Sequence, residues 1–422
     1  MADLTQKNPF RRCVFVVALA AALAAWGCGK NPTSPPVIPP LAQLTLSPDT
    51  LTVSVGETGF FSVSALDSAG APVTGFPATW SSSDSGGVII SLGRSGRVSA
   101  LSEGTARVFV ESGGLRDSGV VVIVPPQRGW FTQASNANGA NLNGVFFQPD
   151  GRTGWVVGNG GKILGTTDAG ARWSVQTSGT GFNLNGVWFN RDREGWAVGA
   201  NGTVLHTTDG GAHWGRVNAG ASENLMDVFF ANDSMGWAVG SNGAILRTRN
   251  RGESWQKLHP TVVTLHGVAF ADTTHGWAVG DYGTIVGTHN GGAGWFVVQP
   301  AVASQTLKAV CRRSESSAWA AGAQGLAPRT VAGADSTVWQ LRSAGAANQL
   351  EGTHFPTDST GYVVGWNGIG AVLRSDNAGR TWTAQTANTQ YRLNDVFFAD
   401  SERGWAVGDG GTIIHTGTGG NP

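Results

Sequence analysis

Leu184-Asn185-Gly186-Val187-Trp188-Phe189, Gly195-Trp196-Ala197-Val198-Gly199, Asn201-Gly202 and Thr207-Thr208-Asp209-Gly210-Gly211-Ala212-His213-Trp214 follow one another closely, and each piece recurs along the chain. Aligning Leu142, Leu184, Leu225, Leu265, Leu307, Leu350 and Leu393 gives spacings of 42, 41, 40, 42, 43 and 43 residues. A second column, Trp155, Trp196, Trp237, Trp277, Trp319, Tyr362 and Trp405, keeps the same step. A period of about 40 with four short β runs per unit is the arithmetic of a propeller blade, so residues 128–422 read as a seven-bladed β-propeller. The inner run, such as Val228-Phe229-Phe230, is apolar on consecutive residues. That pattern suits a strand sandwiched between neighbours on both sides.

Two turns punctuate each unit. Asn159-Gly160, Asn201-Gly202, Asn242-Gly243 and Asn367-Gly368 supply the positive φ that tight hairpins need. Before the outer strand stands a second signature, Thr166 to Trp173, Thr207 to Trp214, Thr248 to Trp255, Thr288 to Trp295 and Ser375 to Trp382. It resembles the Asp-box of bacterial neuraminidase repeats. Its work is local: Asp168, Asp209, Asn250, Asn290 and Asn377 can cap backbone N–H groups of their own turns while the Trp buries between blades. Ring closure is also readable, since the seventh unit lacks a Trp strand and Gly129-Trp130-Phe131-Thr132-Gln133 precedes the first. The segment 129–135 is expected to complete blade seven, removing two free sheet edges.

Composition narrows the rest. Gly contributes 63 of 422 residues, about twice ordinary usage, as a chain full of tight turns requires. Charged residues make up 13%, with 28 basic against 28 acidic, so no electrostatic footprint for nucleic acid exists. All eight His lie in the repeats without metal-ligand spacing, and no metal or cofactor is expected. Cys311 takes the place of the middle Phe of an inner strand and reads as a small buried hydrophobe.

The amino terminus reads as an export signal, residues 1–27. Lys7, Arg11 and Arg12 precede an apolar run from Cys13 to Gly27, too short to span a bilayer. Ala25-Trp26-Gly27-Cys28 resembles the lipobox of bacterial lipoproteins, which implies acylation at Cys28 and a membrane partner held through that lipid. Trp26 and Ala25 depart from the usual residues of that motif, and ordinary signal-peptidase cleavage or an uncleaved anchor are the alternatives. The Pro-rich stretch within residues 28–40 would serve as an extended tether. An exported, lipid-anchored place in the cell envelope follows, on the periplasmic or extracellular side, and the absence of Asp at Gly29 permits the outer membrane.

Residues 41–124 show short alternating runs divided by Gly, Asp and Ser turns, the pattern of a β-sandwich. Val55-Gly56-Glu57-Thr58, Ala78 to Asp84 and Gly96 to Leu101 together resemble the group 2 bacterial immunoglobulin-like domain. Trp80 would be its core aromatic, and the resemblance implies a spacer or adhesive module. The fold class is therefore all-β, a seven-bladed propeller behind an immunoglobulin-like sandwich.

The combination of Leu-x-x-Val-x-Phe, Gly-Trp-Ala-Val-Gly, Asn-Gly and Thr-Thr-Asp-Gly-Gly-x-x-Trp, clearest from Leu184 to Trp214, is similar to the photosystem II assembly and stability factor family. That resemblance implies a propeller that binds a protein partner and catalyses nothing. A neuraminidase-like or other carbohydrate-active enzyme is the alternative, and a purely structural surface component another. The first needs a Tyr nucleophile beside Glu with an Arg triad, and Tyr282, Tyr362 and Tyr391 offer no such set. Departures from the repeat mark the candidate face: Tyr282, Trp366, Tyr391, Arg392 and Asp409, on hairpin tips and on loops entering the inner strands. Drift in a degenerate repeat is the competing explanation for any one of them. The expected partner is a protein, or a glycan, bound by a monomer.

Overall fold

In the computed structural model, residues 38–55, 58–87, 89–93, 95–125, 128–190, 193–298, 304–314, 317–330, 338–345 and 349–421 are described. Cys28, the signal segment and most of the tether lie outside them. The described residues form two compact units, one within residues 38–53 and 58–123 and one from 124 onward that also takes in 54–55. Every extended element is a strand, broken only by single 3-10 turns.

The first unit carries three small antiparallel sheets. Four strands, Thr50–Ser54, Leu115–Val124, Gly104–Ser112 and Thr79–Ser82, pair in that order, with three-stranded sheets beside them. Alternation decides its core, for Ala106, Val108 and Val110 are buried while the residues between them are not. Trp80 departs from expectation: it is half-buried on its strand, against Gly96. Phe61 is the buried aromatic instead, because Gly119 leaves space for its ring.

The second unit is a β-propeller. Among the described residues, seven four-stranded antiparallel sheets follow one another, with innermost strands Leu142–Phe147, Leu184–Phe189, Leu225–Phe230, Leu265–Phe270, Leu307–Ser314, Gln349–His354 and Leu393–Phe398. They are called blades one to seven in that order. In the last sheet, Phe131–Gln133 pairs with Ile413–His415, so an early strand completes the sheet built by the final three. Inner strands of adjacent blades touch all the way round, including blade seven on blade one.

An aromatic sandwich explains why the sequence columns exist. Phe147, Phe189, Phe230, Phe270, Phe355 and Phe398 each stack face to face on the Trp or Tyr of the preceding blade, with centroids 3.5–3.9 Å apart. The outer-strand Trp then meets the same Phe edge-on, as Trp255 does with Phe230 at 5.9 Å and 84°. Trp130 makes the same edge contact with Phe398 at 5.7 Å and 86°, which places it in the outer-Trp position of blade seven. The Gly before each core aromatic is required by this ring: a Cβ on Gly236 would lie 2.5 Å from Phe230. Blade five breaks the pattern twice together. Arg312 stands in for Phe, its guanidinium 6.0 Å over Trp277, and Ala318 stands where the others have Gly.

Candidate functional site

Hairpin tips and the loops entering the inner strands lie at one end of the propeller. Their hydrogen bonds show this: the Gly160 N–H donates to Asn183 Oδ1, Asn201 N–H to Asn224 Oδ1 and Gly410 N–H to Asn141 Oδ1. The Asp-box turns sit at the other end, where Trp155 Nε1 donates across the blade boundary to the Gly210 carbonyl at 2.9 Å and Trp405 Nε1 to that of Ala169 at 3.0 Å.

Each Asp-box is a closed local network. Asp168 Oδ1 accepts from the Thr166 hydroxyl and from the Arg172 N–H, both at 2.9 Å. Asp209, Asn250, Asn290 and Asn377 repeat both bonds in their own turns. The hydroxyl two residues earlier also accepts a buried Gly N–H, as Thr248 does from Gly252 at 2.9 Å. In every one of these turns Oδ1 is spent on backbone and the adjoining hydroxyl, while the second oxygens of Asp168 and Asp209 meet Arg172 Nε and His213 Nδ1 of the same turn, a geometry suited to holding the turn.

The tip end is built differently. Its turns need the left-handed region, met by Gly160, Asn201, Asn242, Gln324 and Gly410, and in blade four by Tyr282 at φ +57. The Tyr282 ring is 70% exposed. Tyr391 is 55% exposed and lies over Gly410, where a Cβ would come within 2.9 Å of its ring. Trp366 ends the second strand of blade six, pairs with Gly370 and is half-buried. Arg392 is exposed, with Nη1 3.5 Å from Glu351 Oε1. Asp409 accepts from Asn394 Nδ2 at 3.1 Å, so its carboxylate belongs to the tip's own framework. The structure thus brings Tyr391, Arg392 and Asp409 together across blades six and seven, with Tyr282 on blade four.

Lys308 and Glu351 are tip-end residues that the sequence did not single out. Both follow the recurrent Leu of an inner strand, the position where Asn143, Asn185 and Asn394 donate to the next blade's Leu carbonyl at 2.7–2.9 Å. Burial pushes the Glu351 carboxyl up against the opposing charge of Lys308, whereas Asp281 is held down, against its burial, chiefly by its hydrogen bond to His266. Substitution of a charge for the recurrent Asn was the available signal.

Exposed large apolar side chains are unevenly distributed. Phe182, Val262, Tyr282, Ile369 and Tyr391 stand at the tip end, others such as Val175 and Val297 on outer strands, and among the described residues of the propeller Val338, just before the outer strand of blade five, stands at the Asp-box end.

Inside the ring, all seven inner strands line one cavity of about 240 Å³. Cys311 is in its wall, half-buried and not sealed in a core as the sequence suggests, with burial pushing its thiol up to about 11. Asp227 and Asp395 also line it, in an inner-strand column that elsewhere holds Gly or Ala. That substitution was visible in the sequence and went unread.

A family model described as photosynthesis system II assembly factor YCF48 matches residues 126–222, which span blades one and two. No curated protein matches the chain. Among solved structures, one of YCF48 bound to a D1 peptide is similar with a TM-score of 0.59 and 21% identity, over 69% of this chain and 96% of that one. YCF48 from Cyanidioschyzon merolae gives 0.58 and 20%, over 68% and 98%. The WD40 propeller domain of Doa1 gives 0.56 at 11% identity, over 68% and 97%. At these identities the shared property is the propeller fold.

Proposed function

We propose that this chain is an exported, non-catalytic binding protein whose seven-bladed propeller captures a protein partner on its tip end. One observation carries the reading: exposed aromatic and apolar side chains gather at the tip end, where Phe182, Val262, Tyr282, Ile369 and Tyr391 stand, against Val338 at the Asp-box end among the described residues. Tyr282 strengthens it, because a bulky residue held at positive φ with its ring in solvent gives nothing to the core. Aromatic and Arg anchors such as Tyr391 and Arg392 are the residue types on which interfaces concentrate their energy. The similar YCF48 structure is of a propeller bound to a D1 peptide, and partner capture by this chain is read in that light. Cys28 is proposed as the acylated anchor and the unit before residue 124 as immunoglobulin-like.

Crosslinking in cells followed by mass spectrometry tests the reading. Partners captured by wild type should be lost when Tyr391→Ser and Arg392→Ala are combined, while Val175→Ser on an outer strand leaves capture intact. Unchanged capture by the tip variant would reject the tip end as the interface. For the anchor, Cys28→Ser should move the protein from the membrane fraction to the soluble one.

A further inference from the structure

We propose that the central cavity is a binding site for a small organic cation, an ammonium or guanidinium group seated among the Asp227 and Asp395 carboxylates and an aromatic wall of Phe146, Trp188, Phe229 and Phe397. The wall is a continuous crescent. Phe229 meets Trp188 at 4.5 Å, Trp188 meets Phe146 at 4.9 Å, and Phe146 meets Phe397 at 5.2 Å. In blades four and five the same column shrinks to Ala269 and Cys311, which leaves the wall open on one side.

The carboxylates are fixed by backbone and lack a counter-charge. Asp227 accepts from Val228 N–H at 2.8 Å and Val268 N–H at 2.9 Å. Asp395 accepts from Val396 N–H at 2.8 Å and Val145 N–H at 3.0 Å, again linking two blades. Neither has a cationic partner within ion-pair distance among the described residues. Burial pushes Asp227 up to about 6 and Asp395 up to about 7, and the charge of Asp227 adds to the second shift. Near neutral pH the cavity therefore holds negative charge in a poorly solvated place, a costly state that a bound cation would relieve.

The other charged and titratable groups of the lining cannot supply that cation. Arg313 lies 3.7 Å from Asp358. The Arg312 Nε donates to the Ser314 carbonyl at 2.8 Å, and its guanidinium leans over Trp277. His354 Nδ1 accepts from Phe398 N–H at 3.3 Å, and burial with Arg313 nearby holds the imidazole down to about 4, hence neutral. Cys311 stays a thiol. Four aromatic faces beside two carboxylates suit a weakly hydrated organic cation, which gains from ring quadrupoles what it loses from water. A hard metal ion would need more oxygen ligands than this lining offers.

Calorimetric titration of the full chain with choline, with its neutral carbon isostere dimethylbutanol, and with a capped Gly-Arg-Gly peptide tests the proposal. Choline should bind saturably and about tenfold or more tighter than dimethylbutanol, and its affinity should rise as pH increases through the carboxylate range. Binding of the peptide without choline would identify a partner's side chain as the source of the cation, and the reverse a free solute. Cys311→Phe, which restores the ring found in blades one, three and seven, should abolish binding while the thermal transition remains cooperative. Asp395→Asn should weaken binding about tenfold and is the second variant should Cys311→Phe not fold. Failure of both cations to bind, equal affinity for dimethylbutanol, or unaltered binding by the variants overturns the proposal.

Discussion

Phe230 and Gly236 illustrate how single residues set the blade boundary. The ring stacks on Trp196 at 3.7 Å and covers the Gly so closely that no side chain fits there. Gly236→Ala should therefore cost about 1–3 kcal/mol through overpacking, read as a lowered Tm. Blade five supplies the complementary case. Arg312→Phe alone should destabilise, because the new ring meets Ala318, and Ala318→Gly added to it should restore stability; an additive loss in the pair would reject the coupling. The buried carboxylates give a pH test. An unfolded Asp titrates near about 4, so raised native values of about 7 for Asp395 and about 6 for Asp227 mean stability that is complete below about pH 4 and lost as pH rises through them. Between about pH 5 and 8, in sodium phosphate, wild type should lose about 2 kcal/mol relative to Asp395→Asn by urea unfolding. His354 and His415, held below their ordinary value by burial, act in the opposite sense, but equally in both proteins.

The Asp-box turn is the element where sequence and structure correspond most directly. Thr248 Oγ1 accepts from Gly252 N–H at 2.9 Å and donates to Asn250 Oδ1 at 3.0 Å. Thr248→Val keeps the shape and orphans a buried N–H, which should cost about 1–3 kcal/mol in chemical denaturation. Such turns are legible in sequence because one residue type meets each demand: a hydroxyl, an Asx oxygen, a Gly at positive φ, an indole. The inner strands are less legible. A register shift separates Leu225 from Asp227 and Leu393 from Asp395, so alternation alone does not tell which way those carboxylates face. Glu351 and Lys308 were obscured for the same reason. At the tips, departures from the repeat did point to Tyr282 and Tyr391, yet no residue pattern distinguishes the exposed Tyr391 from Asp409, which serves its own loop. Trp80 misled because its core role came from the immunoglobulin-like resemblance, whereas Phe61 took the buried position.

At the scale of the propeller, everything converges on the sheet shared by Phe131–Gln133 and the last three strands. Trp130 is 1% exposed, edge-on to Phe398 and Tyr362, and its Nε1 donates to Gln385 Oε1 at 2.9 Å. Trp130→Ala should cost about 3–5 kcal/mol, far more than its place before the repeats suggests, and should expose blade seven to limited proteolysis. Loss of a similar size at Trp255→Ala, with no change in the proteolytic pattern around blade seven, would separate simple core packing from closure. That shared sheet also orders events during synthesis. Gln133 pairs with Ile413, a partner the ribosome has yet to make when the early strand emerges, so the last sheet stays unfinished while blades one to six can already pack. Until the last three strands arrive, Phe131–Gln133 presents an unpaired β-edge behind the already emerged first unit, open to pairing with other chains for most of the propeller's translation.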